Sequence, residues 1–196
     1  MSKIFCLMGK SSSGKDTIYR MLFENPALNL KSIVPYTTRP IRYGEQEGKE
    51  YHFVDETALL QLEDEGKVVE KRVYHTVHGD WTYFTVDDGH IDLEKNDYLL
   101  IGTVESFSNI KKYFGKEVVI PIYIEVDDGI RLQRALSREM SQKEPKYAEM
   151  CRRFLADAED FSEERLIDAG IEKRFSNDFL EDTITNIETY IKAMES

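Results

Sequence analysis

The feature that most constrains this chain is an apolar run, Ile4–Met8, that stops at Gly9 and opens into Gly9-Lys10-Ser11-Ser12-Ser13-Gly14-Lys15. A short apolar run ended by glycine predicts a buried strand. Ile18, Met21, Leu22 and Phe23 follow with helical spacing. The order is therefore strand, Gly/Ser-rich loop, helix. Glycines let the backbone turn tightly enough for successive N–H groups to face one anion. The helix start adds the positive end of its dipole, and the Lys15 ammonium reaches the same oxygens. G-x-x-x-x-G-K in this context predicts a phosphate loop for ATP, formed by Gly9, Ser11, Ser12, Ser13, Gly14, Lys15, Asp16 and Thr17.

One position departs from the pattern. The residue after the lysine is normally Ser or Thr, whose hydroxyl holds Mg²⁺; here it is Asp16. Thr17 is no simple substitute, because its side chain leaves the helix roughly 100° away. Two roles stay open for Asp16. It meets Mg²⁺ directly or through water, since that cation prefers carboxylate oxygen, or it complements the helix dipole.

The rest of the chain predicts an α/β fold, with a parallel core sheet in a three-layer arrangement. Tyr98–Ile101 and Val118–Val126 are apolar, β-branched runs that fit buried parallel strands, with a helix over Ser106–Phe114 between them. Further strands are predicted over Ser32–Tyr36, Tyr51–Val54, Val68–Val73 and Ile171–Phe175. Between them, Leu59, Leu60 and Leu62 mark an amphipathic stretch. His75–Val86 predicts a hairpin turning at Gly79-Asp80. Asp128–Glu139, Tyr147–Glu164 and Phe179–Met194 read as helices, with a polar connector over Met140–Lys146. A core of residues 1–35 and 91–196 is expected to carry a β-rich insertion over 36–90 and a lid over about 138–152.

Composition narrows the classes of partner. Among 196 residues the hydrophobic share is 41%, enough to bury a sizeable core, and the net charge is −11. Such an acidic balance argues against nucleic-acid or anionic-membrane binding. Cations for a phosphorylated ligand must then be gathered locally. Arg39 and Arg42, in the polar loop Thr37–Lys49, can converge on one phosphate with bidentate forks, and Tyr51 can add a hydroxyl. Cys6 and Cys151 lie far apart and predict neither a disulfide nor a zinc site; Cys6 reads as a small buried residue. His52, His75, His78 and His90 suggest no metal site and read as structural or exposed. The apolar stretch at the N-terminus is too short for a signal peptide or a membrane span, so a cytoplasmic protein is expected. Neither GTPase motif is found: Glu94-Lys95-Asn96-Asp97 does not fit the base-reading N/T-K-x-D, nor Asp127-Asp128-Gly129 the D-x-x-G switch.

The string from Tyr36 to Val54, Tyr-Thr-Thr-Arg-Pro-Ile-Arg-Tyr-Gly-Glu-Gln-Glu-Gly-Lys-Glu-Tyr-His-Phe-Val, closely resembles the guanylate kinase family, whose pattern is T-T-R-x-x-R-x-G-E-x-x-G-x-x-Y-x-F. The resemblance implies a nucleoside monophosphate kinase that takes ATP and GMP or dGMP with Mg²⁺, as monomer or homodimer. It places Glu70 as the guanine reader: a carboxylate accepts, and the guanine edge offers N1–H and the 2-amino group. It makes Tyr83 and Thr85 contacts to phosphate and base, with Trp81 and Thr82 as competitors if the register starts at Gly79. Arg131, Arg134 and Arg138 share one helical face. By resemblance Arg134, Arg138 and Arg153 would close over the transferring group, beside Lys15 and Arg39. Pro35 stands where the family often has Ser and Thr103 where it often has Asp, so base specificity is left open. A ribose 1,5-bisphosphate phosphokinase is the second enzyme reading, and a silent binding module of the same family the third.

Overall fold

The computed structural model describes residues 2–42, 44–76 and 79–195. Tyr43 of the quoted string, and His78, lie outside the described residues. From the N-terminus the elements are β1 (Ile4–Gly9), α1 (Lys15–Glu24), β2 (Lys31–Ser32), β3 (Tyr36–Thr37), β4 (His52–Phe53), α2 (Glu56–Asp64), β5 (Val68–Thr76) and β6 (Gly79–Val86). The second half adds β7 (Tyr98–Ile101), α3 (Val104–Phe114), β8 (Val119–Glu125), α4 (Asp128–Met140), α5 (Tyr147–Asp160), α6 (Glu163–Asp168), β9 (Arg174–Ser176) and α7 (Leu180–Glu195).

β1 is central because it is apolar on both sides of its pleat, and every one of its residues is buried. It pairs in parallel with β7 and β8, in a sheet ordered β2-β7-β1-β8-β9. Alternation sends Ile4, Cys6 and Met8 into a layer with Leu100, Phe107 and Ile110. Phe5 and Leu7 point the other way, toward Ile18, Leu22, Ile122 and Ile187. The fold is thus α/β in three layers, with α3 and α6 on one face of the sheet and α1 and α7 on the other. Each fully buried aliphatic side chain contributes about 1.5–3 kcal/mol.

A second sheet, ordered β4-β3-β6-β5, stands on its own small core. Phe84 and Val86 pack with Leu59 of α2, and Lys71, opposite Phe84, reaches Glu63 of α2. A register shift between Val68 and Glu70 turns the next residues over. Glu70 and Arg72 then share the opposite face with their partners Thr85 and Tyr83.

Four local expectations are corrected. Ser32–Tyr36 is no single strand: Ser32 ends β2 in the core sheet, whereas Tyr36 begins β3 in the second sheet. The chain switches sheets there, with Pro35, which has no N–H to give a ladder, between them. The hairpin expected within His75–Val86 is formed by β5 and β6, with Thr76 facing Gly79, so Gly79 and Asp80 are strand residues. The helix expected over Tyr147–Glu164 breaks after Asp160, where Phe161 buries its ring against Tyr123 and Ser162 caps α6 by accepting from Arg165 N–H. The last strand runs over Arg174–Ser176 and not Ile171–Phe175; Ile171 is a core residue outside it.

Candidate active site

The phosphate loop leaves the C-terminal end of β1, where ligands of open α/β sheets bind. Ser12 at φ +63 and Gly14 at φ +88 bend it so that it leads directly into α1. The hydroxyls of Ser12 and Ser13 are buried and have no hydrogen-bond partner among the described residues. Unpaired buried hydroxyls are costly, and they are ready donors for ligand oxygens. Gly9 cannot carry a side chain, because a Cβ there would lie 2.8 Å from Ser13 Oγ and 3.0 Å from the Ile124 carbonyl.

The loop is braced from far along the chain. Asn177 Nδ2 donates to the Ser13 carbonyl at 2.7 Å, and the Ser11 N–H donates to Asp157 Oδ2 at 2.7 Å. Arg131, 1% exposed, donates to the Ser11 carbonyl at 2.9 Å and to Asp128 Oδ1 at 2.7 Å, and its guanidinium lies over the Phe154 ring. Arg131 is therefore a brace of the loop and does not stand with Arg134 and Arg138. A cavity of about 420 Å³ is lined by Ser12, Gly14, Lys15, Asp16, Thr17, Arg134, Arg138 and Asn177. Those two α4 arginines thus meet Lys15 in one space. Arg153 does not line it; on α5 it lies 3.7 Å from Glu149, in a pair about half exposed.

Across the second sheet, Arg39 is 2% exposed and tightly held. Its two terminal nitrogens donate to Glu45 at 2.9 and 2.8 Å, and Nε donates to the Tyr83 hydroxyl at 3.0 Å. Its guanidinium also sits over the Tyr51 and Phe53 rings. Burial opposes the charge on Arg39, but Glu45 and Tyr83 together outweigh it and raise its pKa. The hydrogen bond from Arg39 in turn holds the Glu45 carboxyl below its ordinary range. Burial pushes the Tyr51 phenol up. Arg42 gives its backbone N–H to the same Glu45, while its guanidinium lies 5.8 Å from the Trp81 ring centre. The two arginine side chains consequently do not converge here; Glu45 occupies the fork of Arg39.

Glu70 has a fully buried side chain and accepts from Thr85 Oγ1 at 2.9 Å. It also accepts from Arg72, which reaches on to Thr103 Oγ1 at 3.3 Å. Burial works against the Arg72 charge, yet Glu70, Tyr74 and Glu105 together raise its pKa. Thr103 caps α3 at the end of β7, whose next residue inward, Gly102, donates to the Leu7 carbonyl of β1. The second sheet is thereby fastened to the same sheet edge from which the phosphate loop departs. Burial also pushes the Cys6 thiol far up, so it stays protonated.

Among the described residues, no three His, Cys, Asp or Glu side chains group so as to hold a metal ion. His52, His75 and His90 each lie beside a surface carboxylate. Asp16 is exposed, with its carboxylate 3.4 Å from Lys15 Nζ in the cavity wall. A lone exposed carboxylate suits Mg²⁺, which takes one or two protein carboxylates and fills its shell with phosphate oxygens and water. From sequence, Glu45 entered only as part of the quoted string, with no role of its own, and Arg72, Asn177 and Asp157 went unmarked. Arg72 carried a signal, because it stands two residues from Glu70 and must share its strand face. The other two contacts to the loop join residues too distant in sequence for any local pattern.

The chain matches the sequence model described as "Guanylate kinase" over residues 1–194. Guanylate kinase of Anaplasma phagocytophilum is 40% identical over 67 residues, covering 34% of this chain and 32% of that protein. Guanylate kinase of Thermotoga maritima is 30% identical over 142 residues, 70% of this chain and 66% of that protein. In the first-ranked curated relatives the matched part spans between 32% and 39% of the relative's length. The crystal structure of guanylate kinase from Anaplasma phagocytophilum superimposes with a TM-score of 0.66, over 98% of this chain and 85% of that one, at 24% identity. At that identity the superposition speaks for the fold alone.

Proposed function

The chain belongs to the guanylate kinase family, and from that premise we propose that it transfers the terminal phosphoryl group of ATP to GMP or dGMP, releasing ADP and GDP or dGDP. One observation above all supports the reading. The Gly9–Lys15 loop and the Arg39–Tyr83–Glu70 face are fastened to one edge of the core sheet, through Gly102 and Thr103. Phosphoryl transfer demands little covalent work; it needs in-line alignment and cations where charge accumulates. In this reading residues 1–35 and 91–196 form the donor core, and 36–90 form the acceptor insertion.

The loop N–H groups and Lys15 hold the donor phosphates, with Arg134 and Arg138 beside them in the same cavity. Asp16 would hold Mg²⁺, whose charge neutralises the phosphate oxygens when it is bound. Arg39, kept rigid by Glu45 and Tyr83, supplies a preset positive charge near Tyr51 for the acceptor phosphate. The Tyr51 hydroxyl adds a donor to that pocket, and Arg42, which lies over the Trp81 ring, would swing in to complete it. Arg153 joins when α5 moves, since its half-exposed pair with Glu149 is worth at most about 1 kcal/mol. Closure of the lid over about 138–152 also keeps water from the donor. No general base is required, because a monophosphate oxygen is already ionised. A cytoplasmic place for the enzyme, where ATP and GMP are supplied, belongs to the same proposal.

The test is ADP release by purified protein with ATP and Mg²⁺, given GMP, dGMP, AMP, UMP or ribose 1,5-bisphosphate. Rapid release with the guanine nucleotides supports the proposal. Activity with the ribose bisphosphate alone would replace it with a phosphokinase of that sugar, and silence with all five would leave a binding module.

A further inference from the structure

The surroundings of Glu70 carry an inference that rests on the reading above and concerns which base it selects. A carboxylate has about four lone-pair sites. Glu70 Oε1 accepts from Thr85 Oγ1 at 2.9 Å and from Arg72 Nη2 at 3.3 Å. Oε2 accepts from Arg72 Nε at 3.0 Å. Three sites are therefore filled from within the chain, and one remains on Oε2. A guanine edge presents N1–H and the 2-amino group, two donors that need two acceptors.

The next oxygen that Arg72 reaches does not supply the second. Thr103 Oγ1 already accepts from the Ser106 N–H at 3.2 Å and from Arg72 Nη1 at 3.3 Å. Arg72, with a side chain 12% exposed, is a donor throughout and so suits a keto oxygen. In guanine that oxygen, O6, stands next to N1–H.

We propose that Arg72 is a specificity-determining residue, which fills Glu70 so that the pair reads only the N1–H and O6 edge common to 6-oxopurines. The 2-amino group goes unread, and IMP is taken as an acceptor alongside GMP. Adenine is refused on both counts: its N1 is an acceptor facing a carboxylate, and its 6-amino group is a donor facing a guanidinium. A site with such mismatched polar groups rejects the wrong partner by about 10⁴ or more.

Calorimetric titration of the full chain with GMP, IMP and AMP, beside kcat/KM for each with ATP and Mg²⁺, tests this. GMP and IMP should bind within about tenfold of each other, and AMP at least about 10³-fold more weakly. Arg72→Ala frees two acceptor sites on Glu70, leaving three open, and should raise the preference for GMP over IMP to about 10²-fold. Arg72→Lys, which keeps the charge but loses the fork, guards against a misfolded alanine variant and should give an intermediate ratio. A GMP preference of about 10³-fold in the unaltered chain, or a ratio unmoved in both variants, overturns the proposal. Comparable binding of GMP and IMP without turnover would defeat the phosphotransfer reading, and with it the role of IMP as acceptor, and leave the base readout by Glu70 and Arg72 standing. Fast GMP turnover with IMP refused would do the reverse, and failure of both purines to bind would end both.

Discussion

Gly14→Ala combined with Asn177→Ala probes how the phosphate loop is held. Gly14 sits at φ +88, where an L side chain is strained by about 1–2 kcal/mol. A Cβ there would lie 2.5 Å from Asn177 Nδ2, so Asn177 must move. Moving it breaks its 2.7 Å bond to the Ser13 carbonyl and strands a buried acceptor, at a cost of about 1–3 kcal/mol. Gly14→Ala alone should then destabilise the protein by about 2–5 kcal/mol. Asn177→Ala alone loses the same hydrogen bond, about 1–3 kcal/mol. In the double variant the clash is gone and the bond is already lost, so adding Gly14→Ala costs only the backbone strain. The effects must therefore be non-additive, with a coupling of about 1–3 kcal/mol. Urea unfolding measures this through the midpoint, with an unchanged slope as the control. For a chain of this size each kcal/mol also shifts Tm by about 2–4 °C. If Gly14→Ala costs the same with and without Asn177, the brace does not work as described.

Three further outcomes follow from the same geometry. Because the folded Glu45 carboxyl lies below its ordinary value of 4.5, its contribution to stability is present above that pH and is lost as pH falls through the folded value. Melting curves taken through the acid range should accordingly be flatter for Glu45→Gln than for the unaltered chain, and identical slopes would contradict the pairing with Arg39. Arg153→Ala should change stability by no more than about 0.5 kcal/mol, because its pair is exposed, yet lower kcat by about 10²-fold with little effect on the KM for GMP. An unaltered kcat would remove Arg153 from the lid. Asp16→Ala should raise the Mg²⁺ concentration needed for half-maximal turnover, and a superimposable Mg²⁺ titration would return Asp16 to the helix dipole alone.

The parallel core was legible in the sequence because its strands carry a strong local signal. Ile4–Met8, Tyr98–Ile101 and Val118–Ile124 are apolar on consecutive residues, which only burial on both faces explains. The phosphate loop was legible for a similar reason, since Gly9, Gly14 and Lys15 act within a few residues of one another. The second sheet was harder. β3 and β4 are two residues long, too short for any periodicity; β3 exists because β6 offers it a partner, and β4 because β3 does. The break between α5 and α6 follows from the seating of Phe161 on Tyr123, a contact across the core that helical spacing does not register.

The site divides along the same line, and the division explains what the motif reading missed. Arg39, Tyr51 and Glu70 could be singled out one by one, yet their states depend on partners. The fork of Arg39 is full because Glu45 folds back onto it, six residues away. Ser11 and Ser13 are held by Asp157 and Asn177, separated from them by 146 and 164 residues. Arg72 is the instructive intermediate. Strand alternation puts it on the face of Glu70, and a charge so close to a buried carboxylate has to pair with it. A motif records which side chain reaches the ligand, whereas the number of hydrogen bonds that side chain can still accept is set by its neighbours. For Glu70 that number falls from about four to one, and base selectivity should follow the number rather than the motif.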